Sequence, residues 1–360
     1  MKNSLKVICD SKIPFLKGML EPFGVECRYL PPPEIDAAAV KDADAMIVRT
    51  RTRCNAALLD GSRVKFIATA TIGFDHLDAE YLAARNIVWR SAPGCNAGSV
   101  AQYVGSILAH TGWRGKTIGV VGVGHVGTKV AELASALNME VLLNDPPRAA
   151  REGKEKFTGL KELLGASDIV TMHVPNEPST RDLADESFFA AMKRGALFIN
   201  SSRGSVVDES ALLDSGVDFV LDVWKNEPAI RRELMMNAVF STPHIAGYST
   251  DGKANGTGMA VRALAEFFGI DGLRNFKVTA VPPPENPVIE LKSATDGVAA
   301  AVLQSYDIDR DSRALRSAPD HFEQLRNDYW LRREFPAFDV VNAAAGCAET
   351  LRRLGFNLQG

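Results

Sequence analysis

Three residues able to handle a proton or hold an anion lie in three well-separated polar words. Arg203 stands in Ser201-Ser202-Arg203-Gly204-Ser205, Glu227 in Trp224-Lys225-Asn226-Glu227-Pro228, and His244 in Thr242-Pro243-His244-Ile245-Ala246-Gly247-Tyr248. A guanidinium grips a carboxylate through two parallel charge-assisted bonds. An imidazole exchanges a proton near neutral pH, and a carboxylate on its far nitrogen fixes which nitrogen does so. Together the three suit removal of a hydroxyl proton beside a carboxylate. Singly, each has a plainer reading: a surface cation, a loop acid, a satisfied loop histidine.

Each word follows a short apolar run, at 197–200, 219–222 and 239–241, and three earlier runs lie at 117–121, 141–143 and 169–173. Six strands with helices between them match a dinucleotide-binding fold, in which loops at the carboxyl ends of parallel strands line the ligand crevice. The first strand runs into Val120-Val121-Gly122-Val123-Gly124-His125-Val126-Gly127. Three glycines at this spacing are a weak signal alone, and a glycine turn is the plain alternative. Here a helix with Val126, Val130, Leu133 and Leu137 on one face follows, and Asp145 comes 18 residues after the last glycine. Gly122 would allow the tight turn, Gly124 the approach of a pyrophosphate, and Gly127 the packing of helix on strand. The helix start offers free N–H groups to phosphates. Asp145 would accept from the adenine ribose and repel a 2′-phosphate, which favours NAD over NADP, with Arg148 nearby acting against that preference.

The N-terminal stretch carries five further strand-like runs at 5–9, 25–29, 45–48, 66–70 and 87–89, with helix-like segments at 37–41 and 79–84 and no nucleotide fingerprint. Ala92-Pro93-Gly94 reads as a hinge. A helix spans roughly 256–268, and Pro282-Pro283-Pro284 with Glu285-Asn286-Pro287 forms a stiff linker. Beyond it lies a third, smaller unit rich in Arg, Asp and Glu, with Tyr329, Trp330, Phe335 and Phe338 interleaved. The expected division is 1–93 completed by about 247–270, then 94–246, then 275–360. The 360 residues carry 46% hydrophobic and 24% charged residues and a net charge of −3. That balance argues against a nucleic-acid or anionic-membrane partner. No apolar stretch is long enough to span a bilayer, and the start at Met1-Lys2-Asn3 lacks a signal-peptide core, so the cytoplasm is expected. Five scattered cysteines, Cys9, Cys27, Cys54, Cys95 and Cys347, form no CxxC pair, and neither a disulfide framework nor a metal site is expected. Among the other histidines, His76 reads as structural, His173 as a strand-end group over the cofactor cleft, and His125 as solvent-facing.

These words in this order resemble the D-isomer-specific 2-hydroxyacid dehydrogenase family over roughly residues 1–270. The segments 69–78, 92–97, 145–148 and 244–249 are similar to its branch that oxidises 4-phospho-D-erythronate to 2-oxo-3-hydroxy-4-phosphobutanoate in pyridoxal 5′-phosphate (vitamin B6) biosynthesis; Ile72 and Gly98-Ser99 depart from that branch. The resemblance implies an α/β chain of two doubly wound parallel-sheet domains, a flavodoxin-like substrate domain and a Rossmann NAD domain. A small C-terminal α+β domain would mediate a homodimer, an inference also drawn from aromatics taken to be exposed on that arm. NAD is the implied cofactor, held at Gly122, Gly124, His125, Val126, Gly127, Asp145, Val174, Asp222 and Gly247. Arg203, Glu227 and His244 are the implied catalytic residues, and Thr50, Thr71 and Tyr248 the implied substrate contacts. For a substrate phosphate, Arg49, Arg51 and Arg53 alternate, and on an extended segment alternation would put them on one side. Arg49 is the candidate, beside Arg51 and Lys253, with a solvated basic loop as the alternative. A phosphoglycerate- or glyoxylate-type sister enzyme and a non-catalytic NAD(H)-sensing protein are the rival readings.

Overall fold

The computed structural model describes residues 4–291 and 296–359. The expected leaderless start at Met1, Lys2 and Asn3 lies outside the described residues. The chain forms two compact units, one of residues 1–96 and 250–282, the other of 97–249 and 283–360.

The first unit is a five-stranded parallel sheet of β1 (Leu5–Asp10), β2 (Val25–Leu30), β3 (Ala45–Val48), β4 (Phe66–Thr69) and β5 (Val88–Arg90), in the order 2-1-3-4-5. That is the flavodoxin-like doubly wound order. Every residue of β3 and β4 is buried, as expected of strands covered on both faces. Period-two alternation divides the side chains: Val7, Cys9, Ile47, Phe66 and Ala68 pack on one face against Ala260, Val261, Leu264 and Ala265. Ile8, Met46, Val48 and Ile67 pack on the other against Leu58, Leu59 and Leu82. The helix Thr250–Phe268 begins six residues before the start that the periodicity predicts. It carries Gly256 mid-helix because a Cβ there would lie 2.5 Å from the carbonyl oxygen of Ala70.

The second unit holds β6 (Thr117–Val121), β7 (Glu140–Asn144), β8 (Ile169–Met172), β9 (Leu197–Asn200), β10 (Asp218–Leu221) and β11 (Phe240–Ser241). All pairs are parallel, in the order 11-10-9-8-6-7. The chain adds β7 on one side of β6 and then returns to add β8 on the other. A topological switch point therefore lies between the carboxyl ends of β6 and β8.

Residues 283–291 and 296–359 belong to this same unit. They carry a three-stranded parallel sheet of β12 (Val288–Glu290), β13 (Asp339–Val341) and β14 (Asn357–Leu358), with β13 central. The helix Gly297–Ser305 lies on the helix Ala97–Thr111. Ala301, Val302, Tyr306, Phe335, Phe338 and Val340 share one core with Val104, Ile107 and Leu133. This corrects the picture of an arm with exposed aromatics. Phe335 and Phe338 are 5% and 4% exposed, and Tyr329 and Trp330 pack against the same core. Their apolar surface is spent inside the chain, so it gives no argument for a dimer.

Candidate active site

At the switch point Gly122 has φ +86°, a left-handed conformation that costs a side chain energy. A Cβ there would also lie 2.7 Å from the carbonyl oxygen of His173, at the end of β8. A Cβ on Gly127 would drive into the carbonyl oxygen of Gly122, whereas one on Gly124 meets nothing within 4 Å. Two glycines thus close the cradle, and the third leaves backbone bare at the start of the helix His125–Ala136. His125 is exposed there and Val126 half-buried. Asp145 ties the cradle to the next strand: its carboxylate accepts from the N–H groups of Val123 at 2.8 Å and Arg148 at 2.9 Å. Arg148 is committed elsewhere. Its Nε and Nη2 each reach Glu152 at 2.7 Å, and Nη1 reaches the carbonyl oxygen of Val123. A guanidinium neutralised by Glu152 has little attraction left for a 2′-phosphate, so the residues present suit NAD. Val174 is half-buried beside Gly122. His173 gives Nε2 to a 3.0 Å bond with Thr171, and its buried Nδ1 has no partner among the described residues. Burial drives its pKa down to about 3, which keeps the ring neutral.

The reactive words sit after β9, β10 and β11. Asn200, the last residue of β9, accepts from Ser202 N–H and Oγ at 3.0 and 2.7 Å and donates to the carbonyl of Arg203 at 2.9 Å. Gly204 then lets this loop touch the next one, since a Cβ there would collide with the Trp224 carbonyl. The Arg203 guanidinium reaches the carbonyl oxygen of Ser202 at 2.8 Å. Glu227 accepts from Trp224 N–H at 3.0 Å through one oxygen and meets His244 Nδ1 at 2.7 Å through the other. Burial pushes the Glu227 carboxyl up, but the His244 bond and charge, the Trp224 N–H and Arg326 outweigh it, and its pKa ends below the usual range.

His244 itself has φ 57°, sparsely populated for a residue with a side chain. Asp222 over-determines that shape. It is 1% exposed, and its carboxylate accepts from Ile245 N–H, Ala246 N–H and Thr242 Oγ1 at 2.7, 3.0 and 2.7 Å. Its carbonyl accepts from His244 N–H at 2.7 Å. Asp222, expected at the coenzyme, spends its side chain on the histidine loop. Gly247 and Tyr248 close the turn, with Tyr248 N–H bonded to the Ile245 carbonyl at 2.8 Å.

Other supports of this loop have no local signature in the sequence. Arg332, 0% exposed, lies with its guanidinium 3.6 Å from the Tyr306 ring centroid. It donates to Gln102 Oε1 at 3.0 Å, the Ser99 carbonyl at 2.6 Å and the Ala246 carbonyl at 3.4 Å. Ser249 Oγ donates to Glu334 at 2.6 Å, and Ser99 Oγ to the Ala246 carbonyl at 2.8 Å. Arg326 reaches the Tyr248 hydroxyl at 3.1 Å.

In the first unit, Thr71 Oγ1 pairs with Thr69 Oγ1 at 2.8 Å, and Thr50 is exposed. Arg49 is anchored on the fully buried Asp10, with Nε 2.9 Å from its carboxylate. The alternation argument for Arg49, Arg51 and Arg53 is corrected: the segment is a turn, with Thr52 N–H bonded to the Arg49 carbonyl at 3.1 Å, so spacing does not align the three. Lys253 is driven toward its neutral form by burial and then by the charge of Arg49.

Residues 96–246 match the NAD binding domain of the D-isomer specific 2-hydroxyacid dehydrogenases, and residues 280–355 match a domain of unknown function. The chain is 48% identical to the erythronate-4-phosphate dehydrogenase of Bacteroides fragilis, covering 94% of this chain and 99% of that one. To the enzyme of that name from Porphyromonas gingivalis it is 39% identical, covering 98% and 100%. Among solved structures, the D-lactate dehydrogenase of Aquifex aeolicus, complexed with NAD and lactic acid, shares 25% identity and a TM-score of 0.59 over 77% of this chain and all of that one. The NAD-bound 3-phosphoglycerate dehydrogenase of Entamoeba histolytica, at 23% identity and TM-score 0.65 over 78% and 100%, shares the fold. The chain belongs to the erythronate-4-phosphate dehydrogenase family, a branch of the D-isomer specific 2-hydroxyacid dehydrogenases.

Proposed function

We propose that the protein oxidises 4-phospho-D-erythronate at C2 to 2-oxo-3-hydroxy-4-phosphobutanoate with NAD, in the route to pyridoxal 5′-phosphate. The observation that carries the reading is the 2.7 Å bond between His244 Nδ1 and Glu227. A carboxylate only accepts, so the proton sits on Nδ1 and Nε2 keeps its lone pair. His244 Nε2 takes the C2 hydroxyl proton, and the imidazolium that forms is stabilised by Glu227. Arg203 holds the substrate carboxylate through two parallel bonds and fixes C2. Bound NAD would supply the acceptor for the hydride that leaves C2. In the reverse direction His244 returns its proton.

Gly122, Gly124, Gly127 and the helix start at His125 and Val126 hold the pyrophosphate, Asp145 the adenine ribose, and Val174 and Gly247 flank the coenzyme; Asp222 acts through the loop it holds. Thr50, Thr71 and Tyr248 contact substrate. Arg49 and Lys253 take its phosphate, whose negative charge relieves the mutual repulsion of two partly desolvated cations. The protein works in the cytoplasm, where five free thiols stay reduced, as a homodimer through its C-terminal residues. The test is NADH production with 4-phospho-D-erythronate and with 3-phosphoglycerate. A higher kcat/KM for the former is expected. A preference for the latter, or coenzyme binding without turnover of either, overturns the reading.

A further inference from the structure

Beside Arg332 and Glu334, the C-terminal segment, which matches a domain of unknown function, reaches the reactive loop through Arg326. Arg326 lies on the helix Phe322–Asn327. Its side chain is only 17% exposed, with Nη1 3.6 Å from Glu323 and Nη2 3.1 Å from the Tyr248 hydroxyl. The guanidinium also lies 5.7 Å from the Tyr248 ring centroid, and the Tyr329 ring meets Tyr248 edge-on at 5.9 Å. Ring position and hydroxyl position are therefore both set from the C-terminal side.

We propose that Arg326 is a positioning residue for the reaction, holding Tyr248 so that its hydroxyl proton is presented to the substrate. The chemistry follows from hydrogen-bond roles. A guanidinium has donors only, so the Tyr248 oxygen is the acceptor in this contact. The phenol's own O–H must then donate in another direction. The inference rests on Tyr248 being a substrate contact, as proposed above. A second influence accompanies the first, because Arg326 is among the charges that favour the ionised form of Glu227, with the His244 bond the larger contributor. Glu323, 3.6 Å from Arg326, partly screens it.

The experiment compares Arg326→Gln, Tyr248→Phe and the double variant by steady-state kinetics, with NADH fluorescence titration as the measure of an intact coenzyme site. Each single variant is expected to raise KM about tenfold, as loss of one oriented hydrogen bond would. The double variant is expected to be no worse than either by more than about threefold, because both changes remove one interaction. NADH affinity stays unchanged. In R326Q the acid limb of kcat/KM moves to higher pH, since the Glu227–His244 pair loses a neighbouring cation and takes up a proton more readily.

Effects that multiply in the double variant, or an unmoved KM and pH profile in R326Q, overturn the proposal. Should R326Q lose NADH binding, Arg326→Lys carries the test: it puts one nitrogen where two separate guanidinium nitrogens face Tyr248 and Glu323, and its smaller KM increase should vanish in the Y248F background. If a different 2-hydroxy acid proves to be the substrate, the substrate reading fails and the same arms are run on that acid. If none is turned over, binding of oxalate to the NADH-loaded protein replaces turnover. Equal weakening by R326Q, Y248F and the double variant supports the proposal, and undiminished oxalate affinity in R326Q overturns it.

Discussion

Replacing Glu227 by Gln keeps the shape of the side chain and removes its charge, and the geometry makes the outcome calculable. In the native site one carboxylate oxygen faces His244 Nδ1 at 2.7 Å and the other faces Trp224 N–H at 3.0 Å, so both contacts need an acceptor. A Gln amide has one acceptor and one donor. With its oxygen toward Trp224, its NH2 faces His244 and forces the ring proton onto Nε2, where the substrate proton must go. With its oxygen toward His244, its NH2 opposes the Trp224 N–H. The first arrangement keeps both bonds but only in the wrong tautomer, the second loses one bond, and in both the imidazolium loses its counter-charge. A charge-assisted bond is worth about 2–3 kcal/mol, which predicts a fall of about 30- to 150-fold in kcat/KM. The assay is NADH absorbance with 4-phospho-D-erythronate from pH 6 to 10, beside an NADH titration to show that the coenzyme site is intact. The loss should appear chiefly in kcat. Activity within threefold of the parent across that range, with coenzyme binding intact, would refute the pairing as a catalytic device.

Four further outcomes follow from particular contacts. Gly127→Ala, whose Cβ meets the Gly122 carbonyl, should abolish NADH binding, while Gly124→Ala, whose Cβ meets nothing within 4 Å, should fold normally and weaken NADH binding by about tenfold; titration and thermal melting of both variants check this. Arg49→Ala should raise KM at least tenfold for 4-phospho-D-erythronate and little for D-erythronate, and equal increases would remove Arg49 from the phosphate site. Arg332→Met removes the donor to Gln102 Oε1 and to the Ser99 carbonyl and should destabilise the protein by about 1–3 kcal/mol for each acceptor left unsatisfied, as read in urea titrations. Burial holds the pKa of His76 down to about 4 and that of His173 to about 3, below the 6.5 of an ordinary imidazole. Between those values the unfolded chain binds more protons than the folded one, so stability should fall as pH drops from about 6.5 toward 4. Urea midpoints measured across that window test the sign.

What could be read from the sequence was what repeats locally. The strands are short apolar runs between polar turns, and their predicted bounds lie within about two residues of those found: 87–89 against Val88–Arg90, and 239–241 against Phe240–Ser241. The glycine spacing and Asp145 are equally local, since their tasks lie within one strand–turn–helix unit. Long-range polar contacts carry no such period. Gln102 bonds to Arg332 across 230 positions, and Ser99 bonds to Ser249 across 150. The side chain of Asp222 turns inward because the backbone N–H groups of Ile245 and Ala246 compete for it, which strand-end position alone does not reveal. The C-terminal aromatics were misplaced for a related reason: interleaved arginines suggest solvent until one of them, Arg332, is found stacked on Tyr306 in the core.

The histidine loop shows why a segment bearing none of the proposed catalytic residues is tied so tightly to this site. A residue with a side chain at φ 57° costs of order 1 kcal/mol or more, and it persists only if its surroundings leave no alternative. Asp222 supplies part of that constraint from the sheet side, but a buried carboxylate is itself costly, and burial raises its pKa. The loop's remaining carbonyls, those of Ile245 and Ala246, need donors, and Arg332 and Ser99 provide them. Next to them Ser249 is tied to Glu334, and Tyr248 to Arg326. The loop is thus held by acceptors beneath its N–H groups and by donors against its carbonyls, and residues 326–334 add Arg326, Arg332 and Glu334 to that frame. Deleting those residues would leave His244 and Glu227 in place in the sequence but remove the restraint on the backbone that points one at the other.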